Sequence, residues 1–409
     1  MMWFDVFPLW PLTVLIALGL GAPMRLALMR SLRLTRAETL AWDLLLGMAL
    51  TGYLFLLAGY TGLLHPTLGW AVALIGAVIG GAELRFVGVP RSLRTAERGV
   101  AVLHTLTALA LLWQIWGCLT PEFGGDALNY HIAAPLDWIR EGRIADSPLR
   151  FQSAIPSHHL MINTFLLLLG GDVLCKLMQT TQLIASAILI ASMARRVAGK
   201  RAGALAPCLA VMSICAAWYR CPVFVRSDLL TLLFATGALW CAVRWIRDGA
   251  SRWPAIMGLT VGLALSTKYT AIPFLLVPLT AGLIIAAPAH GGALSLRFRA
   301  LGLMILGSLI AFSPWMLREW LVTGDPVYPL LSDHLRIDPD YDEGRQRMDA
   351  YQGLYRISRA PRLSWDRWLL WKRRMRDATT EGDILVVPLA LLASIALFAR
   401  RRVLRFLGG

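Results

Sequence analysis

The chain has 409 residues, of which 57% are hydrophobic and 16% are charged, and its formal net charge is +15. Soluble domains carry about 25% charged residues, whereas the apolar residues here are concentrated in runs close to the roughly 20 residues that a membrane-spanning helix needs. Backbone polar groups find no water in the hydrocarbon, so helices are the expected spanning form. The composition excludes an ordinary soluble protein and predicts an all-α, polytopic transmembrane fold.

The apolar runs predict about eleven spans. They cover residues 8–29, 38–62, 66–84, 99–119, 172–194, 202–219, 228–246, 254–269, 271–288, 300–321 and 384–399. A further apolar run at 158–169 is too short to cross comfortably. The N-terminus lacks the basic region and the small-residue cleavage site of a secretory signal peptide, and we expect none.

The arginines predict the orientation, because short cytoplasmic loops are rich in Lys and Arg. The loop after the first span is assigned Arg25, Arg30, Arg33 and Arg36, and similar basic clusters follow every second span after it. These clusters share one side only if 158–169 is half-inserted from the outer face. The N-terminus and the loops 120–171 and 322–383 are then extracytoplasmic.

The second long outer loop breaks the pattern, because it is strongly basic although it is predicted to face outside. Long loops escape the positive-inside rule. Its segment 364–377, "SWDRWLLWKRRMRD", alternates Trp and Leu with bases, as an interfacial amphipathic helix does. This segment either anchors the loop to headgroups or forms a basic roof over an anionic lipid substrate.

Several other classes of site find no support in the sequence. The six cysteines form no close metal-type pair, and no disulfide framework is expected. No glycine-rich nucleotide loop follows a strand pattern. Nucleic acid is not an expected partner, because the basic residues are dispersed at membrane boundaries.

The first outer loop contains the densest mixture of polar groups, "GGDALNYHIAAPLDWIREGRI" at 124–144. If residues 127–142 form a helix, Asp126 is a natural N-cap, and Tyr130 and His131 lie one turn further on. An aspartate beside a membrane cavity can act as general base toward an acceptor hydroxyl. The alternatives are a simple helix cap for Asp126, interfacial packing for Tyr130 and a polar tip in water for His131.

Other predicted outer elements contribute more polar groups. The candidate substrate-binding residues are Tyr130, His131, His158, His159, Arg226, Asp228, Lys268, Arg318 and Tyr328. A lysine in an apolar hairpin, such as Lys268, is costly and therefore suggests a function, although it can also snorkel to the interface. Arginine suits phosphate oxygens as a fork. One acid with several cations fits a lipid-linked phosphate donor and a hydroxyl acceptor.

The order of these motifs resembles the GT-C superfamily of integral membrane glycosyltransferases, particularly bacterial relatives of the protein mannosyltransferase and aminoarabinose transferase group. The resemblance runs over about residues 99–331, from "GDALNYHIAAPLDWIREGRI" through "IPSHHLMINTFLLLLGGD", "RSDLL" and "LALSTKYTAIPFLLVP" to "SPWMLREWLVTGDPVYPL". It implies a three-helix N-terminal addition at 1–98, a seven-span module at 99–321 with its catalytic loop at 120–171, and a basic loop with a final span at 322–409.

The resemblance implies a polyprenyl-phosphate sugar donor and a glycan, lipid or protein acceptor on the outer face of a bacterial inner membrane. Asp126 would be the general base, Lys268 and Arg318 would bind the donor phosphate, and Asp228 would belong to a second acidic position. Many relatives have a second acid directly after the first, where this chain has Ala127. Because a divalent ion wants several oxygen ligands, we expect neither a metal nor another cofactor.

Two other functions remain open from the sequence. A transporter or flippase of an anionic lipid or sugar would also need cations at a membrane boundary, but such proteins often show internal repeats, and none is clear here. A glycan polymerase or ligase uses similar lipid-linked donors and basic outer loops. A non-catalytic scaffold would not need an acid, a histidine pair and a lysine on one face.

Overall fold

A computed structural model describes residues 6–30, 32–87, 98–147, 152–217, 224–285 and 294–351. The helices in chain order are α1 (Leu9–Met29), α2 (Arg36–Tyr60), α3 (Pro66–Val87), α4 (Arg98–Cys118), a π-helical turn (Ala127–His131), α5 (Ala133–Glu141), α6 (His158–Leu169), α7 (Asp172–Ala198), α8 (Lys200–Ala217), α9 (Asp228–Asp248), α10 (Arg252–Leu265), a second π-helical turn (Ile272–Leu276), α11 (Val277–Ile285), α12 (Leu294–Thr323) and α13 (Pro339–Tyr351). These residues contain no strand, which confirms the all-α prediction.

Within this described part, seven helices are long and apolar enough to cross a membrane, namely α1, α2, α3, α4, α7, α9 and α12. Their positions agree with seven of the predicted spans. The helix α10 and the segment that ends with α11 are shorter apolar helices. The chain is a polytopic helical membrane protein, and the number of about eleven spans stays a prediction. The segment 364–377 and the last predicted span lie outside the described residues.

The chain divides into two compact units. The first unit comprises Met1–Ala145, Ser157–Cys215 and Tyr219–Phe312, and the second comprises Asp146–Pro156, Ala216–Trp218 and Ser313–Gly409. In the first unit, α1 packs on α2 and α3, and α2 packs on α6 and α7. The predicted division into an N-terminal addition, a module and a C-terminal loop stays a prediction.

Glycines let α1, α2 and α3 approach one another closely. A Cβ atom at Gly47 of α2 would lie 1.8 Å from the carbonyl oxygen of Ala17, and one at Gly80 of α3 would lie 2.1 Å from that of Leu15. Helices in membranes pack through small residues, because the surrounding lipid gives no hydrophobic driving force for their association. Each of these glycines occupies a place where no larger residue fits.

An ion-paired cluster joins the same three helices. The Arg25 guanidinium lies 2.6 Å from an Asp43 carboxylate oxygen and 2.8 Å from a Glu83 carboxylate oxygen. Arg25 therefore lies buried within α1 and not in the following loop, where the sequence had placed it as a topogenic charge. Removing one partner of such a buried cluster typically costs about 3–5 kcal/mol.

The buried Glu38 connects α2 to two later helices. Its carboxylate forms an ion pair with Arg196 and accepts hydrogen bonds from Ser192 of α7 and, at 3.2 Å, from the Trp240 indole of α9. It also completes a capping box with Thr35 at the start of α2. The interactions of Glu38 thus bind the N-terminal helices to the helices of the predicted module.

The short helix α6 is enclosed by protein along nearly its whole length. Of its twelve residues, all but Leu167 and Leu168 are buried. Its length is about 18 Å at 1.5 Å per residue, which is well short of the roughly 30 Å hydrocarbon core. The structure therefore agrees with the prediction that 158–169 is too short to cross.

Candidate functional site

Asp126 lies directly before the π-helical turn, as the sequence predicted for a residue at a helix start. Its backbone is already helical, with φ −65° and ψ −37°, and its side chain makes no capping hydrogen bond. The expected cap contact is therefore absent, although the chain does form helix over most of 127–142. Helix α5 ends at Glu141 and is followed by the C-cap residue Gly142, whose φ of 69° lies in the left-handed region. The Asp126 side chain is exposed.

Tyr130 and His131 form a compact aromatic group with His159 of α6. The ring centroids of Tyr130 and His131 are 4.1 Å apart. His131 Nδ1 lies 2.6 Å from His159 Nε2, so one ring donates a hydrogen bond to the other. Asn163 donates to the carbonyl oxygen of His131 at 3.1 Å, which fixes the end of the π-helical turn on α6.

Burial and nearby charge keep both the phenol and the imidazole uncharged. Burial raises the pKa of Tyr130 above its usual value, and the carboxylates of Asp126 and Asp228 add to this shift. Burial lowers the pKa of His131 to about 3, and the nearby Lys268 and Arg226 cations act in the same direction against Asp228. Near neutral pH, the tyrosine is a hydroxyl and the histidine a neutral ring, and both can form hydrogen bonds to an uncharged sugar.

Lys268 and Asp228 form an ion pair at the start of α9. Lys268 Nζ donates to Asp228 Oδ1 at 2.6 Å, and the side chains are 37% and 21% exposed. Asp228 is the first residue of its helix, and Arg226 lies two residues earlier with its guanidinium 5.9 Å from the Phe224 ring. The ion pair is partly open to solvent, so its lysine can reach a ligand.

The charged residues of the site in the first unit lie close enough to influence the ionisation of Tyr130 and His131. Asp126 and Asp228 both act on Tyr130, while Asp228, Lys268 and Arg226 act on His131. The arrangement combines an exposed carboxylate, a hydroxyl, neutral imidazoles and two cations. Such a set can take a proton from an alcohol and hold an anionic group beside it.

Two of the predicted site residues, His158 and Tyr328, are completely buried. His158 is completely buried, its Nε2 lies 3.3 Å from the carbonyl oxygen of Met48, and its ring fills the space left by Gly52. In the second unit, Tyr328 is completely buried and donates to the carbonyl oxygen of Tyr341 at 3.0 Å. His158 and Tyr328 therefore pack the protein interior, and we leave them out of the proposed site.

Arg318 of the second unit also lies in a buried setting. Its guanidinium forms an ion pair with Asp146 and donates to the carbonyl oxygen of Ala154 at 3.0 Å. Only 1% of its side chain is exposed. These contacts occupy one donor on each of the two terminal nitrogens of the guanidinium.

Four polar residues in or next to the first predicted outer loop were not recognised from the sequence: Glu122, Asp172, Lys176 and Gln179. Lys176 is completely buried and donates to the carbonyl oxygen of Thr120, and Gln179 is 3% exposed. Both lie inside α7 at a spacing of three residues, which places them on one helix face. Polar side chains within an apolar span usually mark function or a specific contact, and that signal was available in the sequence.

In the described ranges, no cluster of three or more His, Cys, Asp or Glu side chains could hold a metal ion. That the protein needs no metal stays a prediction.

Residues 155–317 match the family model described as Dolichyl-phosphate-mannose-protein mannosyltransferase. The match supports a membrane glycosyltransferase of the GT-C type. It confirms the resemblance found in the sequence, and the family implies a lipid-linked sugar donor and a membrane environment. The matched range includes Arg226, Asp228 and Lys268, begins after Asp126 and ends one residue before Arg318. The comparisons with curated proteins and with solved structures found no match.

Proposed function

We propose that the protein transfers a sugar from a polyprenyl-phosphate donor to a hydroxyl acceptor on the outer face of the membrane. Asp126 takes the proton of the acceptor, and Lys268 holds the phosphate of the donor. The observation that carries the proposal is the exposed Asp126 carboxylate, which forms no capping bond and shares its surroundings with the Lys268–Asp228 ion pair.

The geometry supports a division of tasks among the groups. Phosphate is already a good leaving group, so the step that most needs help is removal of the acceptor's proton. A positioned carboxylate typically supplies about 10²–10⁴-fold of rate in that role. The uncharged Tyr130 and His131 can hydrogen-bond sugar hydroxyls without competing for this proton.

The ion pair provides a binding place for the donor phosphate. In this structure, Asp228 neutralises Lys268 at 2.6 Å. A donor phosphate brings its own negative charge to the same lysine, and Arg226 adds a second cation nearby. Because Lys268 and Arg226 both lie near the proposed base Asp126, the site favours a sugar-phosphate donor over an uncharged lipid.

Asp126→Asn tests the proposed base. Asparagine keeps the size of the side chain but cannot accept the proton, so turnover should fall at least about a hundredfold. Melting temperature and donor binding should stay near wild type, because the Asp126 side chain makes no capping bond that the variant could lose. The measurement is sugar transfer from a polyprenyl-phosphate donor in nanodiscs, beside a thermal melt.

A matched control is Asp137→Asn, which changes a neighbouring carboxylate that pairs with Arg140 at 3.3 Å near the surface. This variant should transfer sugar at the wild-type rate. Wild-type turnover by Asp126→Asn would remove Asp126 from the chemistry.

A further inference from the structure

The carboxylate of Glu122 joins two separate segments that lead into the candidate site. Its Oε1 accepts hydrogen bonds from the backbone N–H groups of Phe123 and Gly124, at 2.9 and 2.7 Å. Its Oε2 accepts from the N–H of Val225 at 2.8 Å. One side chain therefore holds the approach to Asp126 and the approach to Asp228 at the same time.

The segment 224–226 is fixed at every residue. Gln179 of α7 donates to the carbonyl oxygen of Phe224 at 2.7 Å and accepts from the N–H of Arg226 at 3.2 Å. Glu122 holds Val225 between these two contacts. The segment itself belongs to no helix or strand, so these side-chain contacts help to determine its position.

The contact between segments 123–124 and 224–226, which we call the junction, also involves close ring packing. The Phe123 and Phe224 ring centroids are 4.7 Å apart in an edge-to-face arrangement. A Cβ atom at Gly124 would lie 2.7 Å from Phe224 Cδ1. The two segments are therefore in direct contact, and the contact depends on glycine at position 124.

The junction is itself anchored on α7. The N–H of Glu122 donates to Asp172 Oδ2 at 2.9 Å, and Asp172 is the first residue of that helix. Lys176 Nζ lies 3.9 Å from the same carboxylate and donates to the carbonyl oxygen of Thr120. The backbone on which the Glu122 side chain is mounted is thus held to a long helix.

We propose that Glu122 is a positioning residue for sugar transfer, an inference that rests on the proposed function. By bridging the two segments, it sets the distance between the base Asp126 and the donor-binding group at Arg226, Asp228 and Lys268. A displacement of about 1 Å between reacting groups can cost about 10²-fold in rate. Glu122 touches neither reactant and acts through the backbone alone.

Glu122→Gln is the sharpest variant, because it is nearly isosteric. Its amide has one acceptor oxygen and one donor group, whereas the carboxylate accepts from both segments. Whichever way the amide turns, one segment loses its acceptor. Losing such a hydrogen bond costs about 1–3 kcal/mol, so exchange of at least one of the Phe123, Gly124 and Val225 amides should quicken roughly 5- to 150-fold.

The experiment compares full-length wild type, Glu122→Gln and the control Glu141→Gln in nanodiscs. Hydrogen–deuterium exchange is read in peptides that contain residues 123–124 or residue 225, beside a thermal melt. Sugar transfer gives kcat and KM for the donor. We expect kcat of Glu122→Gln to fall roughly 10- to 100-fold, with KM and melting temperature near wild type, and no change for the exposed Glu141.

Unchanged exchange at all three amides in Glu122→Gln would overturn the bridge. Faster exchange with an unchanged kcat would overturn the positioning role. If the melting temperature of Glu122→Gln fell enough to account for the whole loss of activity, Glu122 would be a stabilising residue only. That result would also overturn the proposal. If the wild type transferred no sugar from such donors, the proposed function would fail, while the exchange comparison would still decide whether Glu122 joins the segments.

Discussion

Two basic side chains that the sequence assigned to the same task have different surroundings in the structure. The side chain of Lys268 is 37% exposed and pairs with the Asp228 carboxylate, whereas that of Arg318 is 1% exposed and bonds a carboxylate and a carbonyl oxygen. Replacing the partly exposed Asp228 partner of Lys268 by a ligand costs little free energy, whereas breaking the buried ion pair of Arg318 costs much more. We therefore expect their substitutions to have different effects.

Lys268→Ala should weaken donor binding by roughly one to two orders of magnitude, because a charge-assisted contact is worth about 1.5–3 kcal/mol. The double variant Lys268→Ala with Asp228→Asn should bind equally weakly, which shows that an unpaired Asp228 is not the cause. Binding of a donor analogue to folded protein in nanodiscs measures this. Arg143→Ala, which removes an exposed cation of the predicted loop 120–171, is the control. Donor affinity unchanged by loss of Lys268 would refute the assignment.

Arg318→Ala should act mainly on stability. Removing the guanidinium leaves Asp146 and the carbonyl oxygen of Ala154 without these donors, and breaking a buried ion pair costs about 3–5 kcal/mol. Thermal melts should therefore show a clear loss, while the exposed Arg336→Ala melts like wild type. Weaker donor binding at full stability would restore Arg318 to the phosphate site and contradict this expectation.

The sequence could predict which residue types gather, but not how they pair. Asp126, Tyr130 and Lys268 were recognisable because polar groups are rare beside apolar spans. The partners of Lys268 and Arg318 lie 40 and 172 residues away in the chain. Tertiary packing alone decides which carboxylate meets which cation, and local patterns contain no information about it.

At the scale of elements, the contact between segments 123–124 and 224–226 decides the geometry of the site. The helices could be predicted well, because their apolar runs are long. The junction could not, because it consists of irregular backbone that the side chains of Gln179 from α7 and of Glu122 hold in place. The same limit explains Arg25, whose buried partners Asp43 and Glu83 come from two other helices.

Two adjacent glycines give a matched test of this junction. At Gly124, an added Cβ would lie 2.7 Å from the Phe224 ring, whereas at Gly125 it would meet nothing within 4 Å. Gly124→Ala should push the two segments apart and lower turnover roughly 10- to 100-fold, with a small effect on melting. Gly125→Ala should remain close to wild type in both measurements, and equal activity of the two variants would show that the junction does not control transfer.

At the scale of the whole molecule, the orientation prediction can be tested directly. The exposed residues Arg143 and Ala198 flank α6 and α7 on opposite predicted sides of the membrane. In a cysteine-free background, Arg143→Cys should react with an impermeant maleimide from outside, and Ala198→Cys should react only after the membrane is opened. External labelling of position 198 without labelling of position 143 would invert the topology.

The enclosed helix α6 has a consequence for how the protein is made. A segment of twelve residues is too short to span the bilayer on its own. We therefore expect that the insertion machinery does not release it laterally into the lipid as a separate span. Its surroundings include α2, already synthesised, but also α7, which emerges later. We therefore expect α6 to wait at the membrane surface during biosynthesis and to dock only after α7 has entered. Until then, we expect its apolar side chains and His158 to lack the protein contacts that enclose them in the folded protein.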